Sequence, residues 1–323
     1  MTLNLVIVGC GNVGSRHLQA VAKLPFPIQI HIVEPSKDAQ TIAKSRLNEI
    51  QHDSTNKTFF WHESINELKT SDLTIVATTA VGRAKLLSDL LELGHSRFLI
   101  EKMVCQSVVE YNLLISKFKE KNAKGWVNTN PRCFEAYRKI KDYFSGSVLI
   151  HLSVIASNAS ALGTNAIHYI DLFSFLVNDY KIKLNGEFLL NELFPNKLGP
   201  HLVEFAGTIT GAVKNGSSMA LTFIPNTSLP VIVNIAGKDK HLMIDETNEK
   251  IFDLTYRNDH NIQYKYEHTS SLTTKIVQDI LEKDDCNLST ISDLYHPHCE
   301  LFRMFNAHVK KITGQELELC PIT

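Results

Sequence analysis

Leu3-Asn4-Leu5-Val6-Ile7-Val8-Gly9-Cys10-Gly11-Asn12-Val13-Gly14 is a short apolar run that breaks into glycines spaced G-x-G-x-x-G. A helical pattern follows over Val13–Leu24. An apolar run of this length bounded by glycines reads as a buried strand and the turn after it. Each glycine then has its own physical task. Gly9 permits the tight turn, Gly11 lets a pyrophosphate approach the backbone, and Gly14 lets helix and strand pack closely. The N–H groups of the first helical turn, at Asn12 and Val13, join the positive end of the helix dipole in facing the phosphates. The same spacing also suits a tight turn with no ligand; strand before and helix after favour the dinucleotide.

The pattern repeats outward from this turn. Strand candidates lie at Asn4–Val8, Ile28–Val33, Thr58–Trp61, Leu73–Ala77, Arg97–Ile100 and Gly125–Asn128. Helical patterns alternate with them at Val13–Leu24, Lys37–Gln51, Val81–Leu93 and Ser107–Lys121, the last opening as a capping box from Ser107 to Glu110. Such alternation predicts βαβ units and a parallel, doubly wound sheet of Rossmann type covered on both faces.

Beyond residue 130 the texture changes. Helical patterns at Phe134–Phe144, Ala166–Val177, Ser271–Leu281 and Tyr295–Lys311 flank β-like segments. The segments are Ser147–Ile155, Leu184–Leu193, Leu202–Thr210, Ser218–Ile224, Val231–Ala236, His241–Ile244 and Asn261–Glu267. Asn215-Gly216 between two of them is a hairpin signal, since both residue types tolerate positive φ. Strands joined by turns predict a C-terminal α/β domain with a mainly antiparallel open sheet and helices on one face. The domains are expected at 1–127 and 128–323, in line with about 150 residues per domain for a chain of 323.

Composition narrows the function. Thirty-three Lys and Arg against 34 Asp and Glu leave a net charge of −1, which gives no electrostatic reason to expect nucleic acid or an anionic membrane. No run approaches the roughly 18 apolar residues of a membrane span. The first ten residues lack a basic leader and read as strand, not as a signal peptide. Six cysteines without a C-x-x-C pair are scattered thiols, which points to a reducing, cytoplasmic home. His296-Pro297-His298-Cys299 lacks a second ligand cluster at metal-site spacing, so no metal is expected.

Three further positions carry chemistry. Glu34, 25 residues after Gly9 and directly after the second strand, suits the two ribose hydroxyls of NAD and repels a 2′-phosphate. Ser36 and Lys37 follow at once and would suit NADP, so that cofactor stays open. Glu101-Lys102 follows the fifth strand, where open α/β sheets bind ligands, and Thr78 follows the fourth. A partly desolvated lysine there suits proton exchange with a hydroxyl or carbonyl, although an ordinary surface lysine is the commoner case. His168 and Asp171, three apart near the start of an apolar helix, share a face. They suit an imidazole oriented by a carboxylate, or a core histidine with a satisfying partner.

Together these residues resemble the glucose–fructose oxidoreductase/inositol dehydrogenase/MocA family. Gly9-x-Gly11-x-x-Gly14-x-x-His17 resembles its cofactor loop and Glu101-Lys102 its Glu-Lys-Pro motif. His168-x-x-Asp171 resembles its second-domain histidine motif, and Asn130-Pro131-Arg132 the segment that enters domain two. The resemblance implies NAD(P)-dependent oxidation or reduction of a sugar, cyclitol or sugar-nucleotide-type substrate, with hydride passing between substrate carbon and nicotinamide. It implies His168 as principal acid/base, Lys102 as its proton-sharing partner, Asp171 as orienting group and Asn165 as a fourth contact. Gly9, Gly11, Asn12, Val13, Gly14, Glu34, Thr78, Glu101 and Lys102 would hold the cofactor. It also implies a homodimer or homotetramer through the second sheet.

The chain departs from the family pattern at Met103, where proline is usual, at Thr164, where many members have aspartate, and at Arg83, where histidine is frequent. Those departures also fit a non-catalytic nucleotide-binding sensor or regulatory protein on the same fold, and the fold permits an imine or enone reductase. Lys102, Arg83 and Arg132 suggest an acidic sugar or nucleotide-sugar.

Overall fold

The computed structural model describes residues 2–50, 56–157, 161–255 and 261–323, with 269 and 270 as backbone only. The chain forms two compact units, one running to Cys105 and adding Val109–Asn130 and Glu267–Ser292, the other made of Gln106–Val108, Pro131–Tyr266 and Asp293–Thr323.

In the first unit β1 (Leu3–Val8), α1 (Asn12–Val21), β2 (Ile28–Val33), α2 (Lys37–Asn48), β3 (Lys57–His62) and β4 (Leu73–Val76) are followed by α3 (Arg83–Glu92), β5 (Arg97–Ile100), α4 (Val108–Glu120) and β6 (Lys124–Val127). The strands pair in parallel in the order β3-β2-β1-β4-β5-β6. The winding direction reverses between β1 and β4, the switch point at which such sheets open a crevice. Leu5, Ile7, Ile30, Ile32, Ile75 and Leu99 are at most 1% exposed, as expected of a sheet covered on both faces.

Register fixes what lines that crevice. Val8, Val33, Val76, Ile100 and Val127 lie in one row across the sheet. The next residues are therefore Gly9, Glu34, Ala77, Glu101 and Asn128, and the ladder continues through their amides (Gly9 to Val33, Ala77 to Val8, Glu101 to Val76, Asn128 to Ile100). Five strands thus end level, each delivering its following residue to the same edge.

The first unit also takes in Glu267–Ser292, which the sequence reading did not separate from 128–323. Its helix α7 (Thr269–Lys283) packs against α1, and Ser289 and Thr290 lie beside β6, covering that sheet edge. Periodicity shows that α7 is a helix but carries no address for the surface it packs on.

The second unit holds α5 (Glu135–Tyr143), β7 (His151–Ser157), α6 (Leu162–Val177), β8 (Lys183–Leu189), β9 (Phe194–Pro195), β10 (Val203–Glu204), β11 (Gly207–Ala212) and β12 (Ser218–Ile224). β13 (Ile232–Gly237), β14 (Lys240–Asp245), β15 (Lys250–Asp253) and α8 (Tyr295–Thr313) complete it. Its main sheet runs β15-β14-β13-β7-β12-β11-β8. All pairs are antiparallel except β7 with β12. Leu152, Val154 and Ala156 of β7 are buried on the helix-covered face, whereas His151, Ser153 and Ile155 belong to the open one. That open face carries a shallow depression of about 610 Å³.

Two expectations need correction. Leu202–Thr210 is not one strand. It breaks before Gly207, whose φ of +101° and the backbone of Phe188, 2.5 Å from where a Cβ would sit, require glycine. Asn261–Glu267 forms no strand, because Tyr264 packs edge-on against Tyr137 and Tyr266 against Phe134 instead of entering the sheet. The expected hairpin at Asn215-Gly216 is present and joins β11 to β12: Gly216 has positive φ, and Asn215 Oδ1 accepts a hydrogen bond from the Ser217 amide at 2.8 Å.

Candidate active site

In the first unit the glycine turn has the geometry its spacing implies. Gly9 sits at φ +84°. A Cβ on Gly14 would lie 1.9 Å from the Gly9 carbonyl oxygen, whereas one on Gly11 would meet nothing within 4 Å. Gly11 is the N-cap of α1 and supplies no side-chain cap, so the first-turn amides face open space. Cys10 is 1% exposed, and burial first, then the Glu34 charge, push its thiol up to about 12 against the opposing charge of Arg46. That thiol is not a nucleophile at neutral pH.

Glu34 lies against the turn. Its carboxylate accepts the amide hydrogens of Cys10 at 2.8 Å and Ser36 at 3.0 Å. A carboxylate offers about four acceptor positions, so it can also receive ribose hydroxyls. Ser36 spends its hydroxyl capping α2, and the Lys37 ammonium pairs with Glu63. Both residues that favoured a 2′-phosphate are thus engaged elsewhere.

Thr78 reaches the crevice from the end of β4. Its Oγ1 is buried with no hydrogen-bond partner, beside the position a Gly9 Cβ would take. An orphaned hydroxyl, an open patch over Gly11 and uncapped helix amides together fit a phosphorylated, hydroxyl-bearing ligand such as a dinucleotide.

Glu101 is 8% exposed and turns its carboxylate inward to His17 Nε2 at 2.9 Å and Asn128 Nδ2 at 2.5 Å. His17 Nδ1 meets Thr273 Oγ1 at 2.9 Å, tying α7 to this network. Burial raises the Glu101 pKa, but the His17 and Asn128 hydrogen bonds and the Lys102 charge outweigh it, and the carboxyl is held at about 2. Because that value lies below the ordinary 4.5, ionised Glu101 stabilises the fold above pH 4.5, and the contribution is lost as pH falls towards 2. The stability advantage of wild type over Glu101→Gln is expected to be on the order of 2–3 kcal/mol near neutrality and to shrink below pH 4.5. Urea unfolding followed by tryptophan fluorescence measures it, since both tryptophans, Trp61 and Trp126, lie in this unit. An advantage unchanged with pH would contradict the ionised state.

Lys102 is half-buried at the end of β5, and the Lys102–Met103 peptide is cis. Arg83 does not offer its charge to a ligand. It is 1% exposed and donates to the backbone carbonyls of Thr78, Glu101 and Met103.

In the second unit α6 places Thr164, Asn165 and His168 half-buried, on positions one turn apart. Asp171 is fully buried and paired with Arg132 at 3.3 Å, and Arg132 also donates to the Tyr180 hydroxyl at 2.6 Å. The partner of Asp171 was not foreseen from sequence. The case for an anionic substrate accordingly loses Arg83 and Arg132 as cations and keeps only Lys102.

Sequence reasoning missed Glu204. From β10, 5% exposed, its carboxylate accepts the Gly163 amide at 2.7 Å, the Thr164 amide at 3.3 Å, the Thr164 hydroxyl, and Asn196 Nδ2 at 2.8 Å. An acid therefore caps the amino end of α6 although position 164 has none. A separation of 40 residues from Thr164 and 41 from Gly163 leaves no local signal for it. Glu246 was missed likewise: half-buried among tyrosines, it accepts from Tyr137 at 2.5 Å and Tyr169 at 2.9 Å. His298, from the histidine-proline-histidine run, lies fully buried with Nδ1 on the Leu294 carbonyl, and His296 bonds the Ile182 carbonyl.

No protein-family model matches the chain, and no curated protein does. Solved structures do match in fold. An oxidoreductase from Agrobacterium radiobacter, in complex with NAD+, L-tartaric acid and magnesium, is 14% identical, with 98% of each chain covered and a TM-score of 0.68. The WlbA dehydrogenase from Bordetella pertussis, with NADH and UDP-GlcNAcA, is 14% identical over 94% of this chain and 96% of its own, TM-score 0.66. The apo scyllo-inositol dehydrogenase from Lactobacillus casei is 15% identical over 95% and 96%, TM-score 0.69. Structural neighbours of this chain are oxidoreductases of the glucose–fructose oxidoreductase/inositol dehydrogenase/MocA type, and the chain has their fold.

Proposed function

We propose that the protein is an NAD-dependent oxidoreductase acting on the CH–OH or carbonyl carbon of a polyhydroxylated small molecule: a sugar, a cyclitol or a sugar-nucleotide-type compound. One observation carries the reading: the level row of strand ends that brings the glycine turn, Glu34, Thr78 and Lys102 to one crevice of the first unit. When bound there, the nicotinamide supplies the hydride acceptor or donor. The glycine turn and α1 amides bind the pyrophosphate, Glu34 the adenosine ribose, and Thr78 a hydroxyl or amide nearer the nicotinamide. Lys102 Nζ holds or releases a proton at the substrate oxygen. On the second unit His168 Nε2 or Nδ1 acts as principal acid/base, with Asn165 contacting a substrate hydroxyl. Asp171 acts on this reading through the buried Arg132 pair, as a residue that fixes α6. The named neighbours with L-tartaric acid or UDP-GlcNAcA bound support a polyhydroxylated or acidic substrate class.

We place the protein in the cytoplasm, as a dimer or tetramer through the open face of the second sheet. Among the described residues no helix is long and apolar enough to cross a membrane.

The test is absorbance at 340 nm with NAD+ and a panel of sugars, cyclitols, sugar acids and sugar nucleotides. Turnover on at least one member is the expected result. Cofactor binding with no turnover on any of them would move the reading to a nucleotide sensor. Glu34→Ala is expected to weaken NADH by about tenfold while leaving NADPH nearly unchanged, because one carboxylate that pairs ribose hydroxyls contributes about 1–2 kcal/mol. Fluorescence titration of both nucleotides checks it, and equal losses for the two would remove Glu34 from the ribose.

A further inference from the structure

We propose that Arg83 is a positioning residue that clamps the Glu101-Lys102-Met103 turn and so fixes where the Lys102 ammonium stands. The proposal rests on the reading of Lys102 given above only for its functional meaning; the clamp itself is a property of the first unit.

Arg83 is the first residue of α3, entered through Gly82 at φ +70°. Its side chain runs inward instead of out to solvent and is 1% exposed. The guanidinium donates to the carbonyl of Glu101 at 2.5 Å and to the carbonyls of Met103 and Thr78. The first two carbonyls flank Lys102 on either side in the chain. With both held by one planar group, the backbone on either side of Lys102 is fixed to Arg83. The third bond joins this turn to the end of β4, at the Thr78 carbonyl.

Burying a guanidinium is costly unless its donors are met. Here three carbonyls meet the two Nη groups, Nε stays buried without a hydrogen-bond partner, and Glu101 behind the turn balances the charge. A planar fork can serve three acceptors around it, which an ammonium on a shorter stem cannot reproduce. A simple staple for the fold would not need two of its three contacts to bracket half-buried Lys102 just after β5. Preorganisation of this kind matters because a displacement of about 1 Å at a reacting group can cost on the order of 10²-fold in rate.

The experiment uses the full chain as wild type, Arg83→Lys and Arg83→Met. Three quantities are read: thermal unfolding by tryptophan fluorescence, NADH affinity, and the rate of reductive methylation of Lys102 relative to exposed Lys119 by peptide mass spectrometry. The clamp predicts that Arg83→Met frees Lys102, with labelling at least about fivefold faster, while NADH affinity stays within about threefold. Arg83→Lys should fall between it and wild type, a partial rescue that volume alone does not give. Where Arg83→Met does not fold, Arg83→Lys carries the comparison. An unchanged Lys102 rate in a folded variant, or failure of both variants to fold, would overturn the proposal. Absence of NADH binding to wild type would instead strike the functional reading and leave the labelling comparison standing.

Discussion

Lys102→Met is expected to leave NADH affinity within about twofold of wild type and to lower turnover by roughly 10²–10⁴-fold, the usual contribution of a positioned acid or base. The expectation follows from separate parts of the first unit doing separate work. The pyrophosphate and ribose contacts come from the turn after β1 and from Glu34 after β2, whereas Lys102 stands two strands away after β5. Methionine keeps the length and apolar stem of lysine and removes only the ammonium, so the turn held by Arg83 persists. The variant is compared with wild type on whichever substrate the panel yields, as kcat and KM separately. A fall confined to KM would make Lys102 a binding group, and turnover near wild type would remove it from the chemistry.

Gly14→Ala and Gly11→Ala are expected to fail in different ways. At Gly14 a methyl would sit 1.9 Å from the Gly9 carbonyl oxygen, so the turn and α1 must move apart. That strain is expected to cost about 1–3 kcal/mol of stability and to weaken NADH at least about a hundredfold, because the amides aimed at the phosphates move with the helix. Gly11 has φ −68°, which any residue adopts, and its methyl would meet nothing within 4 Å. Gly11→Ala should therefore keep its unfolding midpoint and lose NADH affinity alone, since the methyl occupies the path of the pyrophosphate. Thermal unfolding together with NADH titration of both variants separates the cases. Unchanged NADH affinity in Gly11→Ala would mean that the open patch is not the phosphate path.

How much of this was legible in the sequence depended on how local the signal was. The glycine turn, the six parallel strands and Glu34 were readable because each rests on neighbours in the chain: an apolar run, a spacing, a strand end. The position of Lys102 just after β5 was readable because the end of a strand is a place and not only a pattern. Arg83 was misjudged, since a charged residue at a helix start normally points to water, and only the three carbonyls around it show where its charge goes. Glu204 and Arg132 were illegible for a related reason. A cap supplied from a distant strand, or an ion pair from the turn before α5 to the middle of α6, leaves no spacing to read. Tyr264 and Tyr266 gave a false strand, because alternation of tyrosines with polar residues looks the same whether the rings enter a sheet or pack edge-on against Tyr137 and Phe134.

The central claim is that the carboxyl edge of the first sheet is a dinucleotide site that selects NAD through Glu34. The most direct measurement is parallel titration of the purified protein with NADH and NADPH, followed by nicotinamide fluorescence. The account predicts saturable NADH binding at one site per chain, tighter than NADPH by about tenfold or more, with the preference abolished in Glu34→Ala. Failure of NADH to bind, or NADPH binding as tightly as NADH, would contradict it.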